Sequence, residues 1–100
     1  MPYLTGQTIY EQVVSVDQNN SPVSAATFDT VLYRNGSAYA LTVNTSLYDA
    51  ARGIFAVNFV PDDMGRYQLY MNNTTTNMIY ISDVYDVTSA GTIANIYVGI

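Results

Sequence analysis

The chain has no cysteine, no histidine and no tryptophan, and arginine is its only basic residue type. It can therefore form no disulfide, and it lacks the thiolate and imidazole ligands of the usual zinc sites. An enzyme built from these residues would depend on carboxylates for acid–base or nucleophilic chemistry. Asp62 and Asp63 are adjacent in a turn-like segment and would point apart. Asp83 and Asp86 would face opposite sides of a strand. We expect a non-enzymatic protein with no catalytic residue and no cofactor.

Calcium is the one metal that the sequence leaves open. Asp17 and Asn19 give segment 17–21 the opening of an oxygen-ligand loop, and Asp62 and Asp63 could share an ion between loops. No glutamate follows Asp17 at the spacing where calcium loops place their bidentate ligand. Aspartate and asparagine commonly bond their own backbone in turns. We therefore expect turns at both places and no metal site, with calcium as the alternative.

Charge is also scarce. Only 11% of residues are charged, and eight acids against three arginines give a net charge of −5. Nucleic-acid binding needs a basic surface that displaces counterions from phosphates, and anionic membranes attract the same kind of surface. No apolar run is long enough to span a membrane, and the opening MPYLTGQTIYEQ has no features of a secretory signal. We expect no nucleic-acid or membrane partner and no export.

Short runs rich in Val, Ile, Thr, Tyr and Phe alternate with Gly, Pro, Asn and Asp clusters, and no segment has a helical period. These runs predict strands at 8–16, 27–34, 38–43, 53–60, 66–71 and 78–87. Asn35-Gly36 favours a tight hairpin turn with positive φ at both residues. Asp83 falls on the apolar face formed by Ile79, Ile81, Tyr85 and Val87, which predicts a bulge or a strand end there. The pattern predicts an all-β, antiparallel two-sheet sandwich.

The last thirteen residues, 88–100, contain no charged side chain. We divide the chain into a sandwich at 1–87 and a C-terminal extension at 88–100, which makes about seven strands in all. The extension alternates apolar residues as a strand would, and we expect it to pair with its own sheet or with a neighbour's. Its predicted partner-contact residues are Ile93, Ile96, Tyr97, Val98 and Ile100.

The ten tyrosines divide by strand register. Tyr39, Tyr67 and Tyr85 lie on the apolar registers and are predicted core residues. Tyr33, Tyr70 and Tyr80 lie on the opposite registers and are predicted to face outward. Exposed tyrosines are enriched at protein contacts, because they bury much area at a low cost in side-chain entropy. The alternative is that they stabilise the sheet through cross-strand pairs. As a group they favour contact with a partner.

Segment 53–71, GIFAVNFVPDDMGRYQLYM, carries a recognisable pattern. Asp63, Gly65 and Tyr67 reproduce the D-x-G-x-Y run that leads into strand F of immunoglobulin-like sandwiches, with Leu69 where many members have a cysteine. The segment resembles immunoglobulin-like domains of the filamin type and of bacteria and phages. The departures are Phe55 in place of the usual tyrosine and the missing core tryptophan. The resemblance implies that Tyr67 forms a tyrosine corner, with its hydroxyl bonded to upstream backbone.

The layout of segment 5–36 is also similar to the front half of such modules in tailed-phage virion proteins. This resemblance implies a virion structural protein, and we favour a capsid decoration (cement) protein that bridges or stabilises capsid subunits. Its partners would be capsid or other virion proteins, or further copies of itself. The alternatives are a neck, tail or fibre-base component of the virion, and an adhesion module that binds carbohydrate. One fold serves many functions, so the resemblance supports the fold more directly than the function.

Overall fold

The computed structural model describes residues 3–89, which form nine strands and no helix. The strands are β1 Tyr3–Leu4, β2 Ile9–Val14, β3 Phe28–Arg34, β4 Ser37–Ala38, β5 Asn44–Asp49, β6 Ile54–Phe59, β7 Gly65–Asn73, β8 Met78–Ile81 and β9 Tyr85–Thr88. The all-β expectation is confirmed. Within these described residues, no helix is present that is long and apolar enough to cross a membrane.

The strands form two sheets. Sheet one has the order β1-β9-β7-β3-β4, and β8 also pairs with β7, next to the half of β7 that β9 leaves free. Sheet two has the order β2-β6-β5. Neighbouring strands are antiparallel except for β1, which pairs with β9 in parallel. Side chains from both sheets share one hydrophobic core, so the expected two-sheet sandwich is confirmed.

Alternation along the strands builds this core. In β6 and β7 every second residue is buried, and the largest fully buried side chains include Tyr67, Phe59, Leu69 and Met71. Each such side chain contributes about 1.5–3 kcal/mol when it leaves water. Leu69 has no exposed surface and lies directly opposite Leu32 of β3. The two leucines therefore form an apolar cross-strand pair within sheet one.

The β3–β4 hairpin turns at Asn35 and Gly36, which have φ values of 53° and 83°. Positive φ at both central residues is the conformation expected for an Asn-Gly turn, and it matches the twist of the two strands. The predicted hairpin is confirmed.

The predicted strand at 38–43 is wrong. Strand β4 ends at Ala38, and residues 39–43 connect sheet one to sheet two. The paired strand is β5, in a segment between the predicted strands. Tyr39, Leu41 and Val43 do pack against the core. Their alternation therefore indicated burial of a connecting segment rather than pairing. Five of the six residues of β5 are exposed, so it lacked the apolar signal of a strand.

The predicted strand at 78–87 is interrupted where Asp83 indicated. Strands β8 and β9 are separated by residues 82–84, and both pair with β7. The interruption shifts the alternation by one residue, which reverses the faces of the preceding strand. Tyr85 and Val87 are buried as predicted, whereas Ile79 and Ile81 are 59% and 58% exposed. The predicted burial of these two isoleucines is wrong.

Candidate functional site

Tyr67 closes one end of the sandwich. Its side chain has no exposed surface, and its hydroxyl donates a 2.7 Å hydrogen bond to the carbonyl oxygen of Asp63. This is the bond to upstream backbone that the sequence pattern predicts for a tyrosine corner. Gly65 begins β7 beside Arg34, and a β-carbon at this position would lie 3.0 Å from Nε of Arg34. The three residues Asp63, Gly65 and Tyr67 therefore shape the loop before β7.

Arg34 ties the same loop to the β3–β4 hairpin. Its Nε and Nη2 donate to the carbonyl oxygen of Met64 at 2.9 and 2.7 Å, and Nη2 lies 3.3 Å from Oδ2 of Asp63. The guanidinium lies 5.2 Å from the ring centroid of Tyr39, close enough for a cation–π contact. The Tyr39 hydroxyl donates to Oδ1 of Asp62 at 2.7 Å, and this bond raises the pKa of Tyr39 to about 12. Asp62 and Asp63 thus hold a loop together.

Glu11 joins the two sheets. It lies on β2 between the buried Ile9 and Val13 and points inward with them. Its carboxylate accepts hydrogen bonds from the hydroxyl of Tyr80, at 2.7 Å, and from the hydroxyl of Tyr85. Partial burial and then the bond to Glu11 raise the pKa of Tyr80 to about 12, and the same two causes raise the pKa of Tyr85. The cluster is a polar clamp across the side of the sandwich.

The prediction that Tyr80 faces outward is wrong. The interruption at residues 82–84 reverses the register of β8, so Tyr80 packs against the core and bonds Glu11. Sequence reasoning did not single out Glu11. The available signal was an acidic residue on the apolar register of a strand, between Ile9 and Val13. Such a position requires a bonding partner from across the core.

Tyr33 and Tyr70 lie on the outer face of sheet one as predicted. Val31, Tyr70 and Ile81 are directly opposite one another on β3, β7 and β8. We call the surface around this row the apolar outer patch. Its members are residues of β3, β7 and β8 and of the interruption before β9, namely Val31, Tyr33, Tyr70, Ile79, Ile81 and Val84. The structure therefore brings two predicted contact tyrosines together with Ile79 and Ile81, which were predicted to be core and are exposed.

A shallow groove of 590 Å³ adjoins the apolar outer patch. It is lined by Tyr33, Asn35, Gly36, Arg66, Gln68 and Val84. The polar groups of this lining are engaged with the fold. Nε of Arg66 lies 3.1 Å from Oδ1 of Asp86, and Nε2 of Gln68 donates to the carbonyl oxygen of Ser82 at 2.9 Å. The groove extends the patch and brings no nucleophile beside a base.

The Asp17 loop forms a turn. Oδ1 of Asp17 accepts hydrogen bonds from the backbone amides of Asn19 and Ser21, at 2.9 and 3.0 Å. These are the bonds by which an aspartate stabilises its own turn. Between Tyr3 and Ser89, no group of three or more acidic side chains is arranged to hold a metal ion. The geometry of this loop favours the turn over the calcium alternative.

The predicted contact residues of the C-terminal extension, Ile93, Ile96, Tyr97, Val98 and Ile100, lie outside the described residues. Comparison with known proteins returns no match: no family model, no curated protein and no solved structure is similar to the chain.

Proposed function

We propose that the chain is a non-enzymatic structural module of the immunoglobulin-like type that acts as a capsid decoration (cement) protein of a tailed phage. The observation that carries the proposal is the apolar outer patch, an uncharged aliphatic and tyrosine surface on a chain with very few charges. Such a surface is suited to burial against another protein.

The strand order supports the immunoglobulin-like assignment. The series β2, β6, β5 corresponds to strands B, E and D of that fold, and the series β9, β7, β3 corresponds to G, F and C. The bond from Tyr67 to Asp63 lies at the start of β7, where the tyrosine corner belongs. Together with the sequence resemblance, these features favour a virion module of this fold.

The composition of the patch supports protein contact. Ile79, Ile81 and Val84 are exposed by 59%, 58% and 45%. Because each is only about half exposed, covering it under a partner would contribute on the order of 1 kcal/mol, roughly half of the value for a fully exposed side chain. The members of the patch are uncharged, and the acid on the same face is Asp29, which lies in one row with Asn72 and Ile79. A partner that covers the centre of the patch and leaves Asp29 in water would not have to remove water from an ion. Tyr33 and Tyr70 add rigid aromatic surface with a hydroxyl that can bond at the rim.

Co-sedimentation with purified capsid shells of the parent phage tests the proposal. We expect the wild-type chain to sediment with shells and the Ile81→Lys variant to bind at least tenfold more weakly, because a lysine would be buried in an apolar contact. Val60→Lys is the matched control, since Val60 is 43% exposed and lies outside the patch. If the wild type binds isolated necks or tails but not shells, the chain is a neck or tail component and not a capsid decoration protein. If Ile81→Lys and Val60→Lys bind shells equally well, the apolar outer patch is not the capsid-binding surface.

A further inference from the structure

Strand β2 has a free edge within the described part of the chain. It pairs with β6 on one side only, and β8 is likewise paired only with β7. The two strands lie across the same side of the sandwich, where Glu11 of β2 reaches Tyr80 of β8. A free edge presents unpaired backbone N–H and C=O groups and is a template for a further strand.

An apolar cleft of 360 Å³ opens between these two edges. We call it the β2–β8 cleft, and its lining includes Val13, Val14, Phe28, Met71, Met78 and Tyr80. Val13 and Met71 are core side chains, with exposed fractions of 3% and 0%, whereas Val14 and Met78 at the rim are exposed by 60% and 48%. The cleft therefore leads from an exposed apolar rim directly to the core. Among residues 3–89 its lining is uncharged, and the carboxylate of Glu11 lies next to it, bonded to the hydroxyl of Tyr80.

We propose that residues 90–100 of a second copy of this chain add as a strand to the free edge of β2 and place their apolar side chains in the β2–β8 cleft. The inference rests on the proposed function, because it names the site through which one decoration subunit would hold the next. Backbone pairing would supply affinity, and alternate side chains in the cleft would supply specificity.

The segment and the cleft match in chemistry and in length. Residues 90–100 contain no charged side chain and place Ile96, Val98 and Ile100 at alternate positions, as a strand with one apolar face requires. Eleven residues reach about 36 Å when extended, and the six residues of β2 need about 20 Å of partner strand. About five residues would remain to connect two subunits.

Strand β9 runs away from the β2–β8 cleft, so a tail of the same copy would have to reverse its direction to enter the cleft, which a tail from a second copy need not do. Strand β9 ends at Thr88, which is opposite Leu4 of β1. The β2–β8 cleft lies toward the other end of the sandwich, at the end of β2 and the start of β8. Strand β1 also lies along the outer side of β9. Donor segment and acceptor edge are different surfaces, so repeated addition closes a ring or continues as a filament.

Disulfide trapping tests the pairing directly, because the natural chain has no cysteine. One chain carries Gln12→Cys, at an exposed position of β2, and a second, differently tagged chain carries Tyr97→Cys or Val98→Cys. The two tail variants sample both faces of the added strand. After co-refolding and oxidation, we expect a disulfide between the two chains with one tail variant. The inference is overturned if neither tail variant forms this disulfide. It is also overturned if, in a chain that carries both cysteines, the disulfide forms only within that chain.

Native mass across a dilution series provides the second measurement. We expect the full chain to run as a multiple of its 11.0 kDa and a chain ending at Ser89 to run as a folded monomer. Met78→Lys, in the cleft, should lose the larger species, whereas Val84→Lys, of similar exposure but in the apolar outer patch, should keep it. The opposite result overturns the inference. Neither assay contains capsid shells, so the two proposals can fail separately. If the disulfide forms but the chain does not bind shells, only the decoration function is refuted. If the chain binds shells as a monomer, only the pairing of the tail with β2 is refuted.

Discussion

At the scale of single residues, two tyrosine hydroxyls on neighbouring strands of sheet one stabilise the fold through different partners. Tyr67 bonds a backbone carbonyl four residues upstream and holds a loop to the strand that follows it. Tyr85 bonds the carboxylate of Glu11, 74 residues away in the chain, and holds two sheets together. Both rings are buried, so their hydroxyls need partners within the protein.

Replacing Tyr67 by phenylalanine isolates the contribution of the corner. The ring and its packing remain, but the carbonyl oxygen of Asp63 loses its 2.7 Å donor. We expect Tyr67→Phe to lower the free energy of unfolding by about 1–2 kcal/mol, measured by urea denaturation with an unchanged m-value. Tyr10→Phe is the control, because Tyr10 is 71% exposed, and it should change stability by less than about 0.5 kcal/mol. Equal effects of the two substitutions would contradict a structural role for the Tyr67 hydroxyl.

At the scale of strands, the sequence predicted elements well where apolar alternation and backbone pairing coincide. Strands β3 and β6 lie within the predicted segments 27–34 and 53–60, and the Asn35-Gly36 turn is where its residue types require it. Strand β5 was missed because its side chains are exposed, so its pairing with β6 leaves no apolar pattern. Residues 39–43 were misassigned for the converse reason, since they are partly buried without being paired as a strand.

The contact surface could be predicted only in part, and the interruption at residues 82–84 explains why. Tyr33 and Tyr70 belong to uninterrupted strands, so their outward direction followed from a period of two. Tyr80 and Ile81 precede the interruption, which exchanges inward for outward positions. Asp83 indicated where the strand would be interrupted. The sequence pattern did not show how long the interruption would be, and its length decides whether the register is kept or reversed.

Ser82 stabilises this interruption. Its hydroxyl accepts from the backbone amide of Leu69 at 2.8 Å and donates to the carbonyl oxygen of Asp83 at 2.8 Å. Ser82→Ala would leave a buried amide without its partner, and we expect a loss of about 1–3 kcal/mol in unfolding free energy by urea denaturation. Ser46→Ala, on the exposed strand β5, should have almost no effect. A neutral Ser82→Ala variant would show that β8 and β9 hold their positions through packing alone.

At the scale of the whole molecule, the lack of cysteine and lysine limits the types of side chain that can titrate at high pH. With no cysteine and no lysine, and with arginine charged throughout, tyrosine is the side-chain type that titrates between pH of about 9 and 12. Tyr39 and Tyr80 have pKa values raised to about 12, and the pKa of Tyr67 and of Tyr85 is also raised. These hydroxyls come from sheet one and from the connection to sheet two, and those of Tyr80 and Tyr85 bond Glu11 of sheet two. Their ionisation therefore bears on the entire sandwich.

Stability should therefore fall at high pH. The unfolded chain loses tyrosine protons near pH 10, whereas the folded chain retains those of Tyr39 and Tyr80 until about pH 12. A raised folded pKa contributes stability that is fully present below about pH 10 and is lost as the pH rises toward 12. We expect the urea midpoint to be level from about pH 8 to 9 and to decrease steadily above about pH 10.

Burial is the larger cause of the raised pKa of Tyr80 and of Tyr85, and the variant Glu11→Gln measures the part that Glu11 adds. Glutamine can still accept from Tyr80 and Tyr85, but it removes the negative charge that disfavours their ionisation, so the fall above pH 10 should become shallower. Asp29→Asn, an exposed substitution with the same change of net charge, should leave the slope as in the wild type. Tyrosine absorbance recorded during the same titration should show the late-ionising hydroxyls appearing together with unfolding. A midpoint that does not change up to about pH 11 would mean that the Glu11 clamp contributes nothing to holding the two sheets together.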